Sequence, residues 1–326
     1  MAALSRLNIG RAANAFGLLI ALAVIFAGFG LLMPKTFPTW ENAEVILRQA
    51  AIVCLAALGM TFIIISAAID LSVGSVVAFC TVVIAYALDR LHWLPWQAAT
   101  LGIASGLLCG VLNGTLITKL KVSPFIVTLG SYLIFRGIAK GLADNQKIDA
   151  PMTWLRELLA KPAKGHEWML VSYGVWLTLV CAILAAAILR MTVFGRHAIA
   201  VGGNEKAARY SGIRVDRVKV GVFALAGFFT GLAGLMQFSR LTVGDPTVAQ
   251  GLELDVIAAV VIGGASLSGG EGSILGAVLG AIIMATIRSG CSQYGLPNWV
   301  QEIVTGAIIV LAVALDRIRL KSRTAS

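Results

Sequence analysis

Ten apolar runs dominate the chain, and most of them approach the length that a helix needs to cross a bilayer. A transmembrane helix requires about 20 predominantly apolar residues, because in lipid its backbone polar groups must bond to one another. Only 13% of the 326 residues are charged, roughly half the share of a soluble domain. We therefore predict an all-α polytopic membrane protein with about ten transmembrane helices. The predicted spans are 16–33, 45–69, 73–88, 96–118, 124–142, 170–189, 220–238, 254–264, 274–287 and 299–315.

The distribution of lysine and arginine predicts the orientation. Most of them fall at the two ends, after the fourth span and in the loop 190–219, and cytoplasmic loops concentrate these residues. We predict that both termini and this loop are cytoplasmic and that the loop 143–168 is periplasmic. The seven tryptophans lie in or near the opposite segments, and they are Trp40, Trp93, Trp96, Trp154, Trp168, Trp176 and Trp299. A membrane thus accounts for the net charge of +10 without a nucleic-acid partner.

The first apolar run is open to two interpretations. A basic head before an apolar stretch is typical of a secretory signal peptide. The run 16–33 is long, and no clear small-residue cleavage site precedes Pro34. We predict a retained first span, and a single membrane domain over residues 1–326.

The basic loop 190–219 is the longest polar segment that also looks helical. Asn204 is a suitable N-cap, Glu205 stands in the first turn, and Gly212 is able to adopt the left-handed conformation that ends a helix. Ala207, Ala208 and Ser211 form a face of small residues on which another protein can lie close. We predict a short helix here, and a short surface helix over 152–159.

Glycines at four-residue spacing form three ladders. Such a spacing leaves a flat ridge on one face of a helix, where another backbone approaches closely. Packing within one subunit and packing between subunits both fit this pattern, and the first is the commoner use. The ladders are Gly102-Gly106-Gly110-Gly114, Gly227-Gly231 and Gly272-Gly276-Gly280.

Short or broken helices are predicted near 70–75 and 263–273. Asp70 joins two apolar runs, and a carboxylate at membrane depth is costly and usually functional. The alternative is that Asp70 or Ser72 caps the third span at the inner interface. The segment 267–271, LSGGE, mimics the signature loop of an ABC ATPase, but the chain has no P-loop. Its glycines favour a broken membrane segment, which in transporters often lies near the substrate path.

Candidates for a translocation path are the polar residues of these spans. Each is equally suited to cap a helix or to bond to a neighbouring helix. The spacing supports no catalytic arrangement and no metal motif, and the scattered cysteines fit apolar packing. We predict a transport subunit rather than an enzyme, with no bound cofactor or metal. The path candidates are Asp70, Ser72, Asn113, Glu253, Asp255 and Ser268.

Four segments together resemble the membrane permease of bacterial monosaccharide ABC importers, the ribose, xylose and arabinose group. The resemblance covers nearly the whole chain in the right order, although Ala67-Ala68 stand where the family commonly has glycines. The segments are IDLSVGS (69–75), GVLNGTLITKLKVSPFIVTLG (110–130), GRHAIAVGGNEKAARYSGIRVDRVK (195–219) and VIGGASLSGGEGSILGAVLG (261–280).

The resemblance implies a multi-pass protein of the bacterial inner membrane, surrounded by lipid. Two permease copies would pair on two cytoplasmic ATPase subunits, which use the ATP, and a periplasmic sugar-binding protein would dock outside. The loop 190–219 would then be the segment that couples ATP hydrolysis to transport. Its implied coupling residues are Gly203, Asn204, Glu205, Ala207, Ala208, Arg209, Ser211 and Gly212.

Other functions remain open at this point. A proton-coupled secondary transporter would use Asp70 as its proton relay and would need no ATPase. Within the ABC class, a permease for branched-chain amino acids or purine nucleosides competes with a permease for sugars. A membrane enzyme has no supporting residues.

Overall fold

The computed structural model is almost entirely helical. It describes the backbone of residues 2–162 and 169–324 and the side chains of residues 15–162 and 169–314. The two strands are β1 (Ile148–Asp149) and β2 (Val243–Gly244), and a 3-10 helix covers Trp154–Leu158. The α-helices are α1 (Ala2–Leu32), α2 (Trp40–Ile65), α3 (Val73–Asp89), α4 (Pro95–Leu120), α5 (Pro124–Leu142), α6 (Tyr173–Met191), α7 (Val193–Gly203), α8 (Glu205–Tyr210), α9 (Val215–Leu241), α10 (Leu252–Ile262), α11 (Ile274–Gln293) and α12 (Asn298–Thr324).

Ten of these helices occupy the ten predicted spans, which confirms the all-α polytopic class. Seven of the described helices are long and apolar enough to cross a membrane, and Val73–Asp89 and Asn298–Ala314 are shorter apolar helices. Helix α10 has 11 residues and measures about 16 Å, so it covers only about half of the hydrocarbon core. The predicted break after it is present, with positive φ at Gly264, Gly269 and Gly270.

Helix α2 differs from its predicted span at both ends. It begins at Trp40, because the Thr39 side chain accepts a hydrogen bond from the Asn42 backbone. It ends at Ile65, four residues before the predicted end. The apolar residues that follow therefore lie in a non-helical segment, which hydropathy alone does not distinguish from a helix.

The packing of α1 gives the direction of the chain ends. Leu18 packs against Leu279 and Ile283 of α11, and a Cβ at Gly290, further along α11, would meet the Phe29 ring. Helix α1 thus runs parallel to α11 and packs as a span of the bundle. Helix α11 begins just after the segment 263–273, which contacts the basic loop 190–219, so α1 also begins on the side of that loop. The basic side chains predicted at the two chain ends lie outside the described side chains.

Helix α9 lies at the centre and packs most closely against α4. A Cβ at Gly110 would overlap the Phe223 carbonyl oxygen, and one at Gly106 would lie 2.6 Å from Gly231 Cα. The two helices run antiparallel with their backbones in contact. The third ladder acts in the same way, because Gly276 packs against Gly263 and Gly280 against Ala259. The interpretation of these glycines as packing within one subunit is therefore confirmed.

The outer loop contains two elements that differ from the predictions. The expected surface helix over 152–159 is the 3-10 helix Trp154–Leu158, and its Leu155 is fully buried. Strand β1 pairs antiparallel with β2, with Ile148 opposite Gly244. Two-residue strands have no periodic pattern, so the sequence did not predict this pairing. The pairing ties the outer loop to the segment after α9.

Substituting Gly110 by alanine tests the backbone contact between α4 and α9. The added methyl group must push α9 away, which we expect to cost about 1–3 kcal/mol and to lower the unfolding midpoint in detergent. Gly137→Ala is the matched control, because no atom lies within 4 Å of a Cβ at Gly137 in α5. Equal midpoints for the two variants would contradict the contact.

Candidate functional site

The segment between α2 and α3 is non-helical and lies inside the bundle. Thr128 donates a hydrogen bond to the Ile69 carbonyl, and Asn113 donates one to Ser72 Oγ at 3.0 Å. Asn113 precedes the end of α4 by seven residues, which is about 10 Å along the helix axis. One of the two alternatives from the sequence was a cap by Asp70 or Ser72 at the inner interface. Both residues lie deeper, because the segment turns back into the bundle before α3 begins.

Asp70 is held by the start of α3. Its Oδ1 accepts hydrogen bonds from the Ser72 backbone at 2.7 Å and from Ser72 Oγ at 2.6 Å. Ser72 occupies the N-cap position but makes no capping bond with its own side chain. The residue that accepts the backbone bond is therefore Asp70, and a hydrogen-bonded row runs from Asn113 through Ser72 to Asp70.

Arg136 of α5 is the main donor in this region. Its Nη1 donates to the carbonyl oxygens of Pro246 at 2.8 Å and Val248 at 2.7 Å, and its Nε donates to Ser75 Oγ at 3.2 Å. The side chain is buried. A buried charge is tolerated when hydrogen bonds satisfy it, and here it satisfies carbonyl groups that no helix uses.

The segment 242–251, between α9 and α10, descends along α3. Gly244 packs against Thr81 and Ala85, and Ala249 lies against Gly74 at the start of the helix. Glu253 Oε2 also contacts the Gly74 position. The two non-helical segments therefore meet at the first turn of α3.

We call Asp70, Ser72, Asn113, Arg136 and Glu253 the central polar group. Three of their buried atoms have no hydrogen-bond partner, namely Asn113 Oδ1, Arg136 Nη2 and Glu253 Oε2. Unused buried polar atoms are costly unless water or a ligand meets them. The group offers both donors and acceptors at membrane depth, where irregular backbone is tolerated only if it is buried in protein or lines a cavity.

The remaining two path candidates lie elsewhere. Asp255 faces α11, where its Oδ2 lies 2.7 Å from Arg288 Nη2. Ser268 is exposed in the segment 263–273, whose Gly269 and Gly270 pack against Gly202 and Gly203 of α7. Four of the six predicted path residues thus come together. Asp255 lies on α10 but faces α11, and Ser268 lies in the segment that follows α10.

The basic loop 190–219 contains two helices instead of the one predicted. Helix α8 is the expected one, and the Asn204 side chain caps it by accepting a bond from the Ala207 backbone at 2.9 Å. Helix α7 was not predicted. The Thr192 side chain accepts a bond from the Gly195 backbone at its start, and its buried face includes Ala198 and Val201.

Ion pairs fasten α8 to the first turns of α9. Glu205 lies 2.7 Å from Lys219 Nζ and 3.4 Å from Arg209 Nη2, and Arg209 lies 3.3 Å from Asp216. The hydrogen bond from Lys219 is the main cause that lowers the pKa of Glu205 below its usual value. The carboxylate therefore stays ionised at cellular pH. Exposed pairs contribute little singly, but together they fix the orientation of α8.

Two prominent residues were not among the sequence candidates. Tyr210 is the last residue of α8, and 90% of its surface is exposed. An aromatic residue within the basic loop was a signal by which the sequence could have indicated it. The other is Arg136 of α5. Its only signal was a charge within an apolar run, and its partners in the segment 242–251 lie more than 100 positions away in the chain.

These features define a class of protein, a polytopic permease with broken helices, a buried polar group and a structured basic loop. A family model described as "Branched-chain amino acid transport system / permease component" matches residues 42–313. The chain belongs to this family of ABC transporter permeases, which are integral proteins of the bacterial inner membrane. Among the described residues, no cluster of His, Cys, Asp or Glu is suited to hold a metal ion.

Curated relatives narrow the group. The chain is 36% identical to the L-arabinose ABC transporter permease protein AraH of Azospirillum brasilense, over 96% of this chain and 90% of that protein. It is 41% identical to the ribose import permease protein RbsC of Bacillus subtilis, over 83% of each. The xylose transport system permease protein XylH of Haemophilus influenzae is 36% identical. No solved structure matches the chain.

Substituting Arg136 tests its hold on the segment 242–251. Arg136→Met leaves carbonyl groups of that segment without a donor, at about 1–3 kcal/mol for each buried group. We expect a clearly lower unfolding midpoint in detergent. Arg136→Lys should recover only part of the loss, since an ammonium group lacks the planar fork of arginine.

Lys140→Met is the control for this series, because Lys140 stands one turn further along α5 and is exposed. It removes the same charge without breaking a buried bond. If Arg136→Met unfolds at the same temperature as Lys140→Met, Arg136 does not hold the segment.

Proposed function

We propose that the chain is the membrane-spanning subunit of an ABC importer that takes up a monosaccharide, with a separate cytoplasmic ATPase as its motor. The relatives named above transport ribose, arabinose and xylose according to their names. The observation that carries the proposal is the attachment of α8 to α9. It joins an exposed cytoplasmic helix to the central helix of the bundle.

The mechanism follows from how tightly α9 is packed. A displacement of α8 by the ATPase is passed to α9 through the pairs of Glu205 and Arg209. Helix α4 moves with α9, because their glycine backbones are in contact and leave no room for one to slide independently. The motion then reaches Asn113 of α4 and, through it, the central polar group. Alternating access is the opening of this group to one side and then to the other.

The surface of α8 suits a protein partner. Tyr210 and Lys206 are exposed, and an exposed tyrosine beside charged residues is typical of residues that dominate a binding interface. A cleft of about 480 Å³ adjoins α8, between Lys121 at the end of α4 and Lys219 of α9. We propose that the ATPase binds α8 and the rim of this cleft.

The central polar group suits an uncharged, hydroxyl-bearing substrate. Each hydroxyl both donates and accepts a hydrogen bond, which matches the unused atoms of Asn113, Arg136 and Glu253. We further propose that two copies of the permease pair in the membrane and that a periplasmic sugar-binding protein docks on the outer side.

A pull-down of the tagged chain from its own membranes, with partners identified by mass, tests the ATPase partner. We expect a protein with P-loops to co-purify. Tyr210→Ala should reduce its recovery about tenfold or more, since such anchors contribute 2 kcal/mol or more. Glu157→Lys, an exposed change in the outer loop, is the control and should retain the partner.

Charge reversal distinguishes two roles of Glu205, the ion pair with Lys219 inside the permease and a contact with the ATPase. Glu205→Lys breaks the pair with Lys219 and should abolish ATP-driven uptake. Combining it with Lys219→Glu restores the pair, and recovery of uptake would show that the attachment of α8 to α9 is what matters. Normal uptake by Glu205→Lys alone would contradict the coupling mechanism, and uptake by the purified chain under a proton gradient would favour a secondary transporter that uses Asp70.

A further inference from the structure

A second polar region lies in the outer part of the bundle, separate from the central polar group. It is a cavity of about 180 Å³ among α2, α9, α10, α11 and the segment before α10. Helix α9 contributes Gln237 and Arg240 within its last turns, since it ends at Leu241, so the cavity opens toward the outside. We call it the outer cavity. Its polar lining consists of Gln49, Gln237, Arg240, Gln250, Asp255 and Arg288.

Polar atoms in this lining have unused hydrogen-bonding capacity. Asp255 is 1% exposed, and its Oδ1 has no hydrogen-bond partner. Gln237 is only 7% exposed, and its side-chain amide brings two hydrogen-bond donors and an acceptor into this buried place. In an apolar bundle such groups are costly unless a ligand or water bonds to them. Their convergence on one cavity is typical of a binding site.

The charges of the outer cavity favour a neutral ligand. The 2.7 Å ion pair between Asp255 and Arg288 cancels the two charges on its inner wall. Arg240 is exposed at the rim and is the one cation of the lining that has no carboxylate partner among the described residues. Inside the cavity the remaining groups are amides and one carboxylate oxygen, which bind hydroxyl groups well, and the surplus positive charge is confined to Arg240 at the rim.

The size of the outer cavity sets the size of the ligand. About 180 Å³ equals the share of liquid volume of roughly six water molecules. That volume is below the range of about 300–1,000 Å³ for drug-sized pockets, so it suits one small ring with several hydroxyls.

We propose that the outer cavity is a binding station for a single monosaccharide on its way to the central polar group. This assignment rests on the proposed function. Ala249 lines the cavity, and the same residue lies against Gly74 beside the central polar group. The segment that Arg136 holds is therefore the partition between the two polar regions, and sugar waits in the outer cavity until that partition moves.

Sugar uptake tests the binding station, in cells that lack the chromosomal gene for this permease and express the parent chain or a variant. Gln237→Leu removes an amide with little change of shape, and Asp255→Asn replaces a carboxylate oxygen by an amide nitrogen and removes the charge that pairs with Arg288. We expect uptake of limiting labelled D-ribose, D-xylose or L-arabinose to fall at least tenfold, with ATP hydrolysis by the purified complex retained within twofold. Thr230→Val is the matched control, because it removes a buried hydroxyl two turns earlier on α9, outside the cavity.

The outcomes separate the station from the proposed function. Failure of the parent chain to take up any of the three sugars would count against the proposed substrate class. ATP-driven uptake by the parent chain that is unchanged in Gln237→Leu and Asp255→Asn would overturn the station alone.

A labelling experiment reads binding directly and does not depend on transport. All five native cysteines are buried, so a Gln250→Cys variant presents one exposed thiol at the cavity to a membrane-impermeant maleimide. We expect 100 mM of the transported pentose to slow labelling at least threefold, and sucrose at the same concentration to leave it unchanged. Equal labelling rates with pentose and with sucrose would overturn the binding station. Protection by a sugar acid alone would contradict the claim that its ligand is neutral.

Discussion

The structure depends on one constraint, which is that backbone polar groups inside a bilayer need partners from the protein. Helices meet it by themselves, but this chain leaves helical geometry after α2, after α9 and after α10. Each departure has a dedicated partner. Arg136 bonds two carbonyl oxygens of the segment 242–251, Thr128 bonds Ile69, and the Gly270 backbone donates to the Ile65 carbonyl. The breaks are therefore built into the fold and bring polar side chains to membrane depth.

Close glycine packing gives these breaks a rigid frame. Helices α4 and α9 meet backbone to backbone, and α10 meets α11 in the same way. Packing of this kind replaces the hydrophobic driving force, which is absent between helices in lipid. Because α9 also receives the ion pairs of α8, the helix that organises the core is the one that holds the exposed helix of the basic loop. In the proposed mechanism, α9 is the continuous element between the ATPase and the path.

Polar groups within the bundle form two regions, and each has few charges. The central polar group lies where two non-helical segments meet, and the outer cavity lies beyond the second of them. The ion pair of Asp255 with Arg288 and the hydrogen bonds of Arg136 satisfy most of the buried charge. The remaining hydrogen-bonding capacity is that of amides, single carboxylate oxygens and one guanidinium nitrogen of Arg136, and this mixture of donors and acceptors matches an uncharged, hydroxyl-rich substrate.

The sequence alone determined the fold class, the positions of the ten spans, the capped helix α8 and the family. Each depends on a local signal, such as a run of apolar residues, a cap or a motif. It did not determine where α2 ends, that α7 is a helix, or the pairing of β1 with β2, because apolar composition is the same in a helix and in a buried extended segment. The tertiary structure decided that Asp70, Ser72, Asn113 and Glu253 converge, that Asp255 and Ser268 do not, and that Arg136 joins the first set. Asn113 and Ser72 are 41 positions apart and Arg136 and Val248 are 112 positions apart, so only the packing of the helices brings these residues together.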